Sequence, residues 1–348
     1  MHATAADAAL LDQRHERLRE ILRECGSVCI GYSGGVDSVF LAGAAVQVLG
    51  REHVLAVTGR SPAYPLVQRD MALACAREFD IPHLEIETDE LADERYTANP
   101  SNRCYYCKSE LWPKLVDVAR VRGLRVVLDG SNADDTGDYR PGFAAAREHG
   151  VRSPLLEAGL TKADVRSLSR RMGLPTWDQP AAPCLSSRLP YGIAVTPARL
   201  RQVERAEQAL RVLGFRELRV RHHDDSLRIE LGSAELVRAF SMAAVIRERV
   251  ADTGGLRVLI DAEGYRRGAL NEVLVQLAPL SGGPGCQGAD DTVPVHEAAG
   301  YHGDIAVVAG RDAAAAQRAA GLLRARGFRY VALDTAAFGA PAVQVVHR

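Results

Sequence analysis

Residues 27–38 read SVCIGYSGGVDS, and the two halves of this stretch decide the fold. SVCIGY is an apolar run of strand length that stops abruptly at Ser33-Gly34-Gly35, and the apolar helical run VFLAGAAVQVLG (39–50) follows. Strand, glycine turn, helix is the opening of a βαβ unit. Outward from it, VLAVT (54–58), HLEIE (83–87) and LRVVLDG (124–130) predict three more strands. Helical stretches over 8–25, about 15 residues from Pro65, and 108–121 alternate with them. Strands alternating with helices predict a parallel sheet with ligands at the C-terminal strand ends, and SGGVDS and DGSNADD (129–135) both stand at such ends.

In SGGVDS, Gly34 and Gly35 allow a tight turn that brings backbone N–H groups against phosphate oxygens with no Cβ in the way. Ser33 and Ser38 add hydroxyl donors, and the next helix points its positive end at the anion. Asp37 would repel a phosphate, but it suits the Mg²⁺ that accompanies ATP. The pattern G-x-x-x-x-G-K-[ST] is absent, so this is no kinase- or GTPase-type loop. S-G-G-x-D-S after a strand is the PP-loop signature, which implies ATP cleaved between α- and β-phosphate and AMP transferred to a substrate oxygen.

The expected fold class is α/β: a Rossmann-like parallel sheet of the adenine nucleotide alpha hydrolase-like kind, with a second, smaller α+β domain. The ATP-binding domain is expected over 1–190. After PYG (190–192), a helix over 197–213, strands ELRVRHH and LRIEL, a helix over 233–252 and a strand LRVLID predict a substrate-binding domain over 191–280. The Gly-rich SGGPGCQG (281–288) opens a third piece, 281–348, a linker and βαβ-like tail of unassigned role.

The 348 residues are 47% hydrophobic and 25% charged with a formal net charge of −1, so no global basic field advertises nucleic-acid binding. The N-terminus lacks the apolar core of a secretory signal, and no stretch of 18 apolar residues would span a membrane. A cytoplasmic location is expected. Seven cysteines, at 25, 29, 75, 104, 107, 184 and 286, argue against a disulfide framework. Cys29 in a strand and Cys75 in an Ala-rich helix read as core fillers, whereas Cys104 and Cys107 form a C-x-x-C in a polar loop.

With SGGVDS, the segments NPSNRCYYCKSELW (99–112), DGSNADDTGDYRPG (129–142), SPLLEAGLTKADVR (153–166) and PCLSSRLPYG (183–192) resemble the LarE family, ATP-dependent sulfur transferases of nickel-pincer cofactor biosynthesis. They run in family order over about residues 15–275; the tail beyond 281 lies outside the resemblance. The resemblance implies a substrate, pyridinium-3,5-biscarboxylic acid mononucleotide, whose carboxylates are adenylated and converted to thiocarboxylates. Some members sacrifice one cysteine sulfur. Others carry three cysteines, associated with a [4Fe-4S] cluster that binds an extra sulfide.

Cys104, Cys107 and Cys184 are the cysteines inside these motifs. By spacing alone they suit Zn²⁺ with a histidine such as His83 or His149 as readily as a cluster. The resemblance favours the cluster, with one iron left open for sulfide, over Zn²⁺ and over sacrifice of Cys184. Asp134 and Asp135 are candidates to assist Mg²⁺ or nucleotide, against simple loop solvation. Lys108 and Arg140 are candidates for phosphate or carboxylate contacts. Lys162, after Thr161, resembles a phosphate-reaching lysine and reads equally as a surface lysine. Arg219 and Arg221 share one strand face, where paired guanidiniums suit the mononucleotide phosphate that the resemblance implies; a solvated face is the alternative. Ser187 and Glu207 fall where the family carries functional residues. His222 and His223 point to opposite faces and are rejected as a metal pair.

The expected partner is a small mononucleotide, with the sulfide donor unassigned, no membrane, no nucleic acid and a homo-oligomeric state. The competing reading is a PP-loop tRNA thiolase with a three-cysteine cluster, which the arginines 199, 201, 205, 211 and 216 keep open.

Overall fold

In the computed structural model of the chain, the described residues are 5–137, 141–180, 183–251 and 254–266, followed by 295–297, 305–308, 317–318, 320–321, 323–324 and 328–338. The chain divides into two compact units, Met1–Cys184 and Leu185–Arg348.

The first unit runs α1 (Ala5–Cys25), β1 (Val28–Gly31), α2 (Val36–Leu49), β2 (Val54–Arg60), α3 (Leu66–Glu78), β3 (His83–Glu87), α4 (Glu94–Thr97), α5 (Arg103–Val121), β4 (Val126–Leu128), α6 (Gly142–Glu148), α7 (Pro154–Glu157) and α8 (Lys162–Arg171). Its four strands are all parallel, in the order β3-β2-β1-β4. This is the Rossmann-like α/β sheet that the alternating pattern predicts. Both faces are covered. Val28 and Ile30 of β1 pack with α1, α2 and α8, whereas Cys29 between them packs with Trp112 and Leu115 of α5. Alternation of side chains across a strand, with apolar residues on both faces, is what a buried parallel strand requires. Cys29 and Cys75 are fully buried in these two layers.

The order matters for function. The chain builds β1, β2 and β3 outward in one direction, then places β4 on the other side of β1. The crevice at such a reversal, outside the carboxyl ends of the strands, is where open α/β sheets bind ligands. The loops after β1 and β4 flank it, and these are SGGVDS and DGSNADD.

The second unit holds α9 (Pro197–Val212), β5 (Leu218–His222), β6 (Ser226–Leu231), α10 (Leu236–Ser241), α11 (Ala243–Ala251), β7 (Arg257–Asp261), β8 (Val295–Glu297), β9 (Ile305–Val308) and β10 (Tyr330–Asp334). One mixed sheet joins them in the order β5-β6-β7-β10-β9-β8. The residues read from sequence as a separate tail supply its last three strands, β10 pairing antiparallel with β7. Cys286 lies outside the described residues.

On β5 and β6 every residue is buried, although more than half of them are polar. Val220, Leu227, Ile229 and Leu231 face the apolar core. The opposite face carries Arg219 and Arg221 opposite Glu230 and Arg228. His222 and His223 sit at the end of this hairpin, and burial holds both neutral. The first is pushed down to about 4, with Arg199 adding to the effect, and the second falls well below its ordinary value. The unfolded chain takes up these protons near pH 6.5, so the stability they confer is present above that pH and is lost as pH falls toward 4. His222 alone accounts for about 3 kcal/mol of this loss. The urea midpoint is expected to drop between pH 7 and pH 4, and less steeply in a His222→Gln variant.

Candidate functional site

The turn from β1 into α2 takes its shape from its glycines. Gly34 has φ +68°, and a Cβ there would stand 2.6 Å from Cβ of Ala72 on α3. Gly34→Ala combines a left-handed backbone with that clash and is expected to cost about 1–3 kcal/mol, read as a lower denaturation midpoint. Ser38 Oγ donates to the Gly35 carbonyl (3.1 Å), accepts from Ser33 N–H (3.2 Å) and lies 3.2 Å from Ser33 Oγ. The two serines therefore brace the loop across its mouth.

Four side chains converge beside it. Lys162 Nζ lies 2.5 Å from Asp37 Oδ2, and Asn132 Nδ2 donates to Asp37 Oδ1 at 3.3 Å. The Lys162 N–H donates to Asp134 Oδ2 at 2.9 Å. Local sequence explains how a lysine 125 positions away arrives here. Thr161 and Asp164 form a capping box that starts α8 at Lys162, and Arg14 of α1 holds Asp164 at 2.7 Å. A box of this kind satisfies two N-terminal donors and fixes the entry of the chain. Asp135 stands in the same loop. Its Oδ2 accepts from the Asn132 N–H (2.9 Å) and shapes the loop after β4. That loop presses against α2, where a Cβ on Gly130 would stand 3.1 Å from the Ser38 nitrogen. Arg140 lies outside the described residues.

Cys104 and Cys107 lie one turn apart at the start of α5, and Cys184 ends the first unit. Burial pushes the Cys107 thiol up to about 12. Glu90, Cys184 and Cys104 add to that shift and Lys108 opposes it, so the three cysteines are electrostatic neighbours. A thiol so placed stays protonated at neutral pH until a cation displaces the proton. Among the described residues no set of three or more His, Cys, Asp or Glu side chains is gathered as a metal site, and His83 and His149 join none. His83 instead lies 2.8 Å from Thr58 Oγ1. Lys108 Nζ stands 4.9 Å over the Trp112 ring, beside Cys107.

In the second unit, the arginine face is a buried ionic network. Arg188 grips Glu207 through Nε (2.8 Å) and a terminal nitrogen (3.2 Å), and Arg211 joins Glu207 at 3.0 Å. Arg221 pairs with Glu230 at 2.9 Å and donates to the Ser187 carbonyl at 2.8 Å. Arg228 pairs with Glu230 (2.9 Å) and with Asp261, and it stacks 3.6 Å from the Tyr330 ring. Burial alone would raise the Glu207 carboxyl, but Arg188, Arg211 and Arg219 together hold it below the usual range. Arg219, 8% exposed, lies 5.2 Å from the Tyr265 ring, and burial followed by the charge of Arg188 lowers its pKa. Among the described residues, five arginines thus face the carboxylates of Glu207, Glu230 and Asp261. Sequence reasoning named Arg219, Arg221, Ser187 and Glu207 but not Arg188, Arg228, Glu230 or Asp261. The i, i+2 spacing of Arg228 and Glu230 in LRIEL carried the same signal as that of Arg219 and Arg221. Of the five arginines that kept RNA binding open, Arg199 is tied to Asp224 and Arg211 to Glu207.

The parallel sheet, its reversal beside β1 and the serine-braced glycine loop define a class, the PP-loop enzymes that use ATP. The NAD synthase family matches residues 10–103, which span the loop and the first three strands. The uncharacterized protein slr1717 of Synechocystis sp. is 44% identical over 270 residues, covering 77% of this chain and 100% of that protein. The pyridinium-3,5-bisthiocarboxylic acid mononucleotide synthase of Lactiplantibacillus plantarum is 35% identical over 268 residues, covering 77% of this chain and 97% of that protein. Among solved structures, NMN synthetase from Francisella tularensis aligns with a TM-score of 0.41 at 19% identity, covering 49% of this chain and 75% of that one; so slight a likeness adds nothing to the assignment. The chain belongs to the family that contains the Synechocystis and Lactiplantibacillus proteins, a branch of the NAD-synthase-like PP-loop superfamily. No helix among the described residues is long and apolar enough to cross a membrane.

Proposed function

We propose that the protein adenylates a carboxylate of pyridinium-3,5-biscarboxylic acid mononucleotide and converts it to a thiocarboxylate, as the name of the Lactiplantibacillus relative suggests. The observation that carries the reading is the Asp37–Lys162 pair at the mouth of the glycine loop. A part-exposed ion pair gains little by itself, whereas an anion with its Mg²⁺ separates the two usefully. Lys162 turns to the phosphates and Asp37, steadied by Asn132, to the cation.

In the first step a substrate carboxylate oxygen attacks the α-phosphorus of ATP, and pyrophosphate leaves into the loop. In the second, sulfide attacks the acyl carbon, the bond to AMP breaks, and a thiocarboxylate and AMP remain. Cys104, Cys107 and Cys184 are the thiols that would hold a [4Fe-4S] cluster, and such a cluster supplies an iron without a protein ligand where sulfide can sit. The spacing of Cys104 and Cys107, one turn apart at the start of α5, supports this assignment. Arg219 and Arg221, two apart on one strand face, present paired guanidiniums that suit a phosphate dianion, which supports the mononucleotide as substrate. The Ser187 carbonyl and Glu230 fix Arg221 in place, and Glu207 holds Arg188 beside them.

Anaerobic purification with iron and sulfide analysis tests the cluster. Wild type is expected to be brown and Cys107→Ser colourless. A colourless wild type with stoichiometric zinc would remove the cluster and leave the adenylation standing.

A further inference from the structure

We infer that Tyr64 and Gln68 are positioning residues of the phosphate loop. Together they hold the Ser33 carbonyl away from α2, which leaves the N–H groups of Gly34 and Asp37 open to the pyrophosphate end of ATP. The inference rests on the proposal that ATP is the ligand of this loop.

In a continuous helix the Ser33 carbonyl would accept the N–H of Asp37, four residues on. Here it does not. It accepts from Tyr64 Oη at 3.1 Å and from Gln68 Nε2 at 3.0 Å, so both lone pairs are engaged on the side of α3. The first carbonyl returned to α2 is that of Gly35, which accepts from Val39 N–H (3.0 Å) and Ser38 Oγ (3.1 Å). No acceptor among the described residues takes the N–H of Gly34, Gly35, Val36 or Asp37. The carbonyl and the N–H of one trans peptide point in opposite directions. A Ser33 carbonyl pinned toward α3 therefore aims the Gly34 N–H away from α3. Released, the same carbonyl would swing to Asp37 and close one of the donors. Donors fixed in advance need no reorganisation when charge arrives.

The clamp is itself anchored. Gln68 is 3% exposed in the first turn of α3. Tyr64 closes a turn in which its N–H donates to the Ser61 carbonyl (3.1 Å) and the Ala63 N–H to Ser61 Oγ (3.1 Å). Ser61 Oγ in turn donates to the buried carboxylate of Glu90 at 2.5 Å. Ala72, one turn beyond Gln68, fills the space over Gly34. Nothing else in this arrangement requires two donors on one carbonyl.

The test is calorimetric titration of the full-length protein with magnesium pyrophosphate and, separately, with AMP. Wild type, Tyr64→Phe, Gln68→Met and the double variant are compared. Each single variant is expected to bind pyrophosphate about 3- to 10-fold more weakly, and the double variant more than tenfold. AMP affinity should stay within about twofold. Tyr64→Phe removes one oxygen atom and leaves the ring, so it reports even if Gln68→Met folds poorly. Unchanged pyrophosphate binding in the double variant would overturn the inference, and so would an equal loss for AMP, which marks general collapse of the site. Wild-type protein that binds neither ligand would overturn the ATP reading and the clamp with it.

Discussion

Asp37→Ala protein is expected to release pyrophosphate from ATP about 100- to 1,000-fold more slowly than wild type while melting at nearly the same temperature. The two halves of this result have different origins. Asp37 and Lys162 are partly exposed, with side-chain exposures of 22% and 33%, so the ion pair lost on mutation contributes at most about 1 kcal/mol to folding. The rate loss is larger because Asp37 is the carboxylate beside the glycine loop that suits the cation balancing charge on the departing pyrophosphate. Lys162→Ala removes the opposite charge and should raise KM for ATP about tenfold or more, with the magnesium dependence unchanged. Steady-state pyrophosphate assays across a magnesium titration separate the two. If Asp37→Ala retained full activity at every magnesium concentration, the carboxylate would have no part in the chemistry.

The second large effect separates structure from recognition within the arginine network. Glu207→Ala is expected to destabilise the protein by about 3–5 kcal/mol, because it removes the buried carboxylate that Arg188 and Arg211 share. Arg219→Ala is expected to change stability by under about 1 kcal/mol, since burial, and then the charge of Arg188, already disfavour the charged form of Arg219. It should instead raise KM for the mononucleotide about 10- to 100-fold, the worth of a charge-assisted contact to phosphate. Urea denaturation reads the first quantity and initial rates read the second. A Glu207→Ala protein as stable as wild type would mean that the network does not hold the fold. An Arg219→Ala protein with unchanged KM would place the phosphate elsewhere.

Much of the first unit was legible because its signals are local. SVCIGY, the glycine turn and the following apolar helix sit within two dozen residues, and strand length and side-chain period are visible in them. The position of β4 beside β1, which makes the crevice, is a property of chain crossover that no local window contains. Lys162 remained balanced between two readings because its partner lies 125 positions earlier. The capping box Thr161–Asp164 was readable, but its consequence for the lysine was not. Tyr64 and Gln68 carry no motif; only the direction of one carbonyl reveals them.

In the second unit the shared face of Arg219 and Arg221 followed from strand period alone. Its burial did not, because arginines on a strand read by default as solvated, and the carboxylates that permit burial come from α9, β6 and β7. The last strands were recognisable as apolar runs, yet nothing local says that β10 will pair with β7. The cysteine triad was legible as residue types within the quoted segments.

The central claim is transfer of AMP onto a substrate carboxylate by the loop after β1, and oxygen isotope transfer tests it most directly. Mononucleotide labelled with ¹⁸O in its carboxylates is turned over with unlabelled ATP and sulfide, and the AMP is weighed by mass spectrometry. One labelled oxygen is expected in each AMP released, carried from the carboxylate through the acyl-adenylate. Unlabelled AMP accompanied by thiocarboxylate product would contradict it.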